Sequence, residues 1–169
     1  MNQHALDSAT LLKSDLYHIK NIFSESELEY VLTSLPTQTK WQILDLQETQ
    51  PRRSLQWESD GLVDYTWELI NHLDFSKFGL KFTNVSIWRD QHPYCIRNHV
   101  DNDRVKAAMQ IYLSTGMSNT GTWFDTIEIP FELNTGYIMN NRNKLPHKMK
   151  HPVPLNQTRY SVYALFDYV

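Results

Sequence analysis

Two hydrophobic periodicities share this chain. Before residue 80 the apolar positions keep mostly helical spacing. After it, short apolar segments recur every 8 to 15 residues between turn-like residues. In the first part, Leu16 to Phe23 reads as a short strand. Ser24 is then the expected cap of a helix, and Glu27 three residues on completes a capping box. Leu28, Val31, Leu32 and Leu35 give that helix an apolar stripe, and Pro36 closes it. Trp41 to Leu46 looks extended. Asp60 to Leu73 carries Leu62, Val63, Trp67, Leu69 and Ile70 at mostly helical spacing, which predicts a second amphipathic helix. Residues 1–15 are polar and expected to dock loosely.

In the second part, Val85–Trp88, Cys95–Val100, Ala107–Leu113, Thr122–Phe124, Glu128–Phe131, Gly136–Asn140 and Arg159–Asp167 all read as strands. Two helices followed by a run of short strands predict an α+β fold that is mainly β. Helices would back one face of a sandwich or barrel, and a jelly roll is the architecture that suits it. One domain is expected over residues 1–169, with 1–79 as mainly helical support and 80–169 as the jelly-roll core.

Strand alternation assigns faces. An inward His99 takes Arg97 and Asp101 with it and turns Ile96 and Val100 outward. On the next strand Ala108, Gln110 and Tyr112 share one face, and Met109, Ile111 and Leu113 the other. On the last, Arg159, Ser161, Tyr163 and Leu165 oppose Tyr160, Val162, Ala164 and Phe166. Polar residues inside and apolar residues outside invert a small domain. The inversion makes sense if the inside is a ligand pocket and helices cover the outside.

Composition narrows the function classes. The net charge is −3 with a pI near 6.1, which argues against a general nucleic-acid binder. No apolar run approaches the roughly 20 residues of a membrane span, and the first residues lack the pattern of a secretory signal. A lone cysteine, Cys95, has no internal partner for a disulfide, so a reducing, cytoplasmic setting is expected.

The candidate chemistry lies in His99-Val100-Asp101. On a strand, His99 and Asp101 converge on one point. A second imidazole there completes the two-histidine, one-carboxylate facial triad that holds Fe(II) with positions left open. An H-x-D tripeptide alone is weak, and His72-Leu73-Asp74 is a second one. It falls at the end of a predicted helix, where residues two apart point to nearly opposite sides. His72 therefore reads as surface or helix-end packing. The second imidazole has two candidates, His147 and His151, and periodicity does not choose between them. Arg159 sits in a segment of buried-strand composition, where a guanidinium needs an anionic partner. That partner is either an internal acid or a bound carboxylate, to which Ser161 and Tyr112 would also donate hydrogen bonds.

Together these segments resemble the 2-oxoglutarate- and Fe(II)-dependent dioxygenases, a double-stranded β-helix superfamily, and lean toward its prolyl-hydroxylase branch. The resemblance covers residues 85–167. His99-Val100-Asp101-Asn102 resembles the first metal motif, and Ile111-Tyr112-Leu113-Ser114 the strand whose tyrosine contacts the co-substrate. Gly121-Thr122-Trp123-Phe124 takes the place of the glycine-led strand between the metal motifs. Pro146-His147-Lys148-Met149 resembles the segment with the distal histidine, which favours His147 over His151. Thr158-Arg159-Tyr160-Ser161-Val162 resembles the strand whose arginine binds the far carboxylate of 2-oxoglutarate. Two departures bear on the substrate: extra residues from Lys150 to Asn156, and Trp88-Arg89 where a tyrosine is common.

The resemblance implies Fe(II) on His99, Asp101 and His147. It implies 2-oxoglutarate as co-substrate on Arg159, Tyr112 and Ser161, and O2 as the oxidant. Arg97, Trp88 and Trp123 are candidates for contact with the primary substrate; His92 and Tyr94 are further candidates for the pocket wall. The leading expectation is hydroxylation of a prolyl or other residue in a peptide or protein, with release of succinate and CO2. The rivals are a hydroxylase of a free amino acid or metabolite, and a cupin-type metal-binding module without turnover. No membrane partner is expected, and nucleic acid is disfavoured by the net acidity.

Overall fold

The computed structural model describes residues 1–38, 41–43, 53–56, 61–115, 117 and 119–169. In chain order the elements are α1 (Gln3–Asp7), β1 (Thr10–Lys13), β2 (Leu16–Lys20), α2 (Glu25–Ser34), β3 (Gln42–Ile43), β4 (Arg53–Gln56), α3 (Gly61–Asn71), β5 (Leu80–Gln91), β6 (Ala107–Tyr112), β7 (Thr122–Phe124), β8 (Ile127–Ile129), β9 (Thr135–Asn140), β10 (His147–Lys148) and β11 (Thr158–Tyr168).

The strands form two antiparallel sheets. The larger runs β1-β2-β9-β6-β11-β5-β4-β3 and the smaller β10-β7-β8. The helices cover one face of the larger sheet and the smaller sheet covers the other. Val31 and Leu35 from the α2 region and Leu62, Val63 and Ile70 of α3 pack on Met109, Ile111, Val162, Ala164 and Phe166. Between the sheets lies a second apolar cluster that includes Tyr112, Phe124, Ile129, Tyr137 and Met149. The antiparallel, mainly β architecture expected from the sequence is therefore present, and the alternation on β6 and β11 assigned both faces as the structure has them.

The local rules explain the helices. The Ser24 N–H donates to Glu27 Oε2 at 2.8 Å, as a capping box requires. Leu62, Thr66 and Ile70, four residues apart, form the buried stripe of α3. Trp67, expected in that stripe, is instead 40% exposed and lies against Phe82. Of the extended segment expected over Trp41 to Leu46, Gln42–Ile43 is a strand; positions 44–46, and Asp60 before α3, lie outside the described residues.

Two expectations need correction. Residues 1–79 supply more than helical support: β1 and β2 extend the larger sheet beyond β9, and β3 and β4 extend it beyond β5. And Cys95–Val100 is not a strand. It is irregular, bridged to β10 at His99–His147 and bonded again where the Met149 N–H donates to the Ile96 carbonyl at 3.0 Å. Tyr94 and Ile96 still alternate inward, and the exposed Arg97-Asn98 that follow end the pattern before His99. Without strand geometry the inward face assigned to Arg97 fails: Arg97 is exposed, and Ile96 turns in toward the smaller core.

Candidate metal centre

His99 and His147 are brought together by backbone pairing. The His147 N–H donates to the His99 carbonyl at 2.8 Å and the His99 N–H returns the bond at 3.1 Å, which sets the imidazole rings 4.2 Å apart. Asp101 follows two residues on. Its Oδ1 lies 3.6 Å from His99 Nε2 and 3.7 Å from His147 Nε2. Those separations exceed hydrogen-bond length, and one ligand atom from each of the three residues fits within a 4.8 Å span. His72 and His151 are exposed and lie apart from this cluster.

The second ring nitrogens settle the tautomers. His99 Nδ1 is 2.9 Å from the Arg97 carbonyl and His147 Nδ1 is 3.1 Å from the Leu145 carbonyl. A carbonyl only accepts, so Nδ1 carries the proton in each neutral ring and Nε2 bears the lone pair beside Asp101. Asp101 raises the His99 pKa above the ordinary imidazole value against the opposing effect of burial. Burial pushes the Asp101 carboxyl up, and His99, His147 and Lys144 together bring it below the usual range. Two lone-pair nitrogens and an ionised carboxylate oxygen around one point are a donor set that fits Fe(II) in facial geometry.

The cluster opens onto a cavity of about 400 Å³ whose wall includes Trp88, Gln110, Thr122, Tyr137, Arg159 and Tyr163. Arg159, on β11, is 1% exposed. Its Nη1 donates to Asp90 Oδ2 at 2.7 Å, so the internal acid considered from the sequence is present. The fork is not exhausted by it: Nε is buried without a hydrogen-bond partner among the described residues. Arg159 borders the cavity, and its spare donor is of the kind that a carboxylate oxygen would fill.

Ser161 and Tyr112, expected beside Arg159, are both buried and both bonded within the protein. Ser161 Oγ accepts from Gln110 Nε2 at 2.9 Å, and the Tyr112 hydroxyl donates to Thr122 Oγ1 at 2.7 Å. They brace Gln110 and Thr122, which face the cavity. Gln110 is fixed at its other end by the Tyr137 hydroxyl, 2.9 Å from Oε1. Trp88 lines the cavity and stacks on Tyr163 at 4.3 Å, whereas Trp123 lies under the Lys150 ammonium, 3.0 Å from its ring centre. Of the other wall candidates, Tyr94 is buried in the smaller core and His92 bonds through Nδ1 with the Val153 carbonyl at 2.9 Å.

The sequence left Gln110, Thr122, Tyr137 and Tyr163 without a role at the site. Alternation had placed Gln110 and Tyr163 on the inner face. Tyr137 carries no such signal, because β9 is buried on both faces.

No protein-family model and no curated protein sequence matches the chain. Solved structures do. A Pseudomonas putida prolyl-4-hydroxylase shares 15% identity at a TM-score of 0.66, over 98% of this chain and 96% of that one. A Trichoplax adhaerens prolyl hydroxylase, solved with a peptide of hypoxia inducible factor, shares 13% at 0.69, over 97% and 86%. HygX from Streptomyces hygroscopicus, with nickel, 2-oxoglutarate and hygromycin B bound, shares 9% at 0.61, over 100% and 88%. The chain thus has the jelly-roll fold of the 2-oxoglutarate- and iron-dependent oxygenases. The likeness in fold covers nearly the whole chain for the prolyl hydroxylases and for HygX alike.

Proposed function

We propose that this protein is a 2-oxoglutarate- and Fe(II)-dependent oxygenase that hydroxylates an unactivated C–H bond, with release of succinate and CO2. The observation that carries the reading is one cavity lined by both the His99–Asp101–His147 cluster and a buried arginine with an unfilled donor. A metal-binding module without turnover could use the Asp90 pairing of that arginine, but not its spare donor.

His99 Nε2, His147 Nε2 and an Asp101 oxygen hold the metal. Arg159 receives the far carboxylate of 2-oxoglutarate, with its Asp90 partner offsetting part of its charge. Ser161 and Tyr112 act one step back, by fixing Gln110 and Thr122. When bound, iron and 2-oxoglutarate supply the activation of O2 that oxidises a C–H bond. The fold supplies orientation and a largely apolar enclosure.

The substrate we propose is a prolyl or other residue of a peptide or protein. Beside the metal cluster, Trp88, Tyr163, Leu165, Ile96, Val105 and Met149 make an aromatic and aliphatic wall suited to an uncharged hydrocarbon group. The peptide-bound Trichoplax relative supports the same reading. Succinate release with Fe(II) and 2-oxoglutarate tests it, first alone and then with panels of proline-containing peptides and of free amino acids. Stimulation by peptides is the expected result. Stimulation by free amino acids alone would replace the substrate assignment. No succinate from metal-loaded protein under any condition would replace the enzyme by a binding module.

A further inference from the structure

Asp101 lies in a stretch, residues 101–106, that belongs to no helix or strand. A carboxylate ligand on irregular backbone needs something else to hold it. Asn141 is placed to do so. It follows β9 directly and is 3% exposed. Its side-chain amide Nδ2, which carries two hydrogens, reaches three carbonyls of that stretch with one hydrogen shared: Asp101 at 3.3 Å, Asn102 at 3.2 Å and Val105 at 2.8 Å. Its backbone N–H adds a fourth bond, to the Lys106 carbonyl at 2.8 Å. The Asn141 Oδ1 is buried with no hydrogen-bond partner among the described residues. That asymmetry fixes the orientation of the amide: a flipped side chain would set an oxygen against three carbonyl oxygens.

Lys144 reinforces the grip from the same turn. Its ammonium reaches the Asp101 carbonyl at 3.4 Å and the Asp103 carboxylate at 2.5 Å. Three residues further on comes His147. The segment that carries the distal imidazole therefore also clasps the backbone of the carboxylate ligand.

We infer that Asn141 is a positioning residue of the metal centre: its amide holds the 101–106 backbone against the 141–147 segment, so that Asp101 and His147 meet one ion. The inference rests on the reading of His99, Asp101 and His147 as metal ligands. These contacts tie two segments far apart in sequence, and all but the backbone bond depend on one side chain.

The test measures Ni(II) affinity by calorimetry and amide hydrogen exchange of residues 101–106 without metal. It compares the wild type with Asn141→Ala, Lys144→Met and, as a destabilised control remote from the site, Val31→Ala. Asn141→Ala is expected to bind nickel roughly 10- to 100-fold more weakly and to exchange faster at 101–106. Val31→Ala, whatever its loss of melting temperature, is expected to do neither. Affinity of Asn141→Ala within about twofold of wild type would overturn the inference, as would an equal loss in Val31→Ala. If Asn141→Ala does not fold, Lys144→Met decides: a loss of about threefold or more supports the clasp, and wild-type affinity overturns it. If the wild type binds no nickel, the ligand reading has failed. The clasp then stands or falls on exchange alone, and unchanged protection at 101–106 overturns it.

Discussion

Arg159 and Asp90 face each other across β11 and β5, with Nη1 2.7 Å from Oδ2 and both side chains out of solvent. Burial works against the guanidinium's charge and Asp90 outweighs it, so the Arg159 pKa stands above its ordinary value. Two substitutions separate structure from binding. Asp90→Asn strands a buried cation and is expected to cost about 3–5 kcal/mol in urea unfolding. Arg159→Lys keeps a charge for Asp90 and loses the planar fork. It is expected to raise the KM for 2-oxoglutarate by about tenfold or more with a smaller change in kcat. An unaltered KM would leave Arg159 as half of a structural pair only.

The imidazoles and the carboxylate make a second prediction. Each of His99, Asp101 and His147 supplies one donor to the same point. Asp101→Ala and His147→Ala are each expected to abolish nickel binding in calorimetry and 2-oxoglutarate turnover with it. His151→Ala and His72→Ala, at exposed positions away from the cluster, are expected to bind nickel as the wild type does. Strong binding by Asp101→Ala would remove that residue from the metal.

The contrast between His99 and Arg159 shows what the sequence carried and what it did not. Around Arg159 the apolar neighbours alternate, so both its strand and its inward face are legible in the sequence. Around His99 the neighbours are polar, and the strand drawn there was wrong. Its position is set by pairing with a segment 48 residues away, which no local pattern reports. The motif still pointed to three residues that the fold brings together, because residue type and order survive where periodicity does not. Asp90 and Asn141 were invisible for a related reason. Their roles come from cross-strand register and from a turn that folds back on a loop, and both are properties of tertiary structure.

A third prediction concerns the aromatic wall. Trp88, which pairs with Ser161 across β5 and β11, meets Tyr163 two residues along on the same face; the rings stack at 4.3 Å, and the Trp88 indole N–H donates to Ser86 Oγ at 2.6 Å. The indole is thus held in place before any substrate arrives. Trp88→Ala is expected to lower kcat/KM for a peptide substrate by about 10- to 100-fold, within the range for loss of a buried aromatic anchor. The KM for 2-oxoglutarate and nickel affinity should stay near wild type. A loss shared equally by co-substrate and peptide would place the indole in general packing instead.

The last prediction tests the backbone beneath the cavity. Gly136, in β9, lies between β2 and β6, opposite Ile19 on one side and Ile111 on the other. A Cβ added there would sit 1.8 Å from the Gln110 carbonyl oxygen and 2.8 Å from its carbon. Backbone cannot yield as a side-chain tip can. Moreover, Gln110 links Ser161 to Tyr137 at the cavity wall. Gly136→Ala is therefore expected to cost about 3 kcal/mol through overpacking, a fall of roughly 6–12 °C in Tm for a domain of this size. Gly61, at the start of α3, has nothing within 4 Å of an added Cβ. Gly61→Ala is expected to leave Tm unchanged or slightly higher, since alanine favours the helix. Equal losses in the two variants would show that the close approach of β9 to β6 is not what requires glycine at position 136.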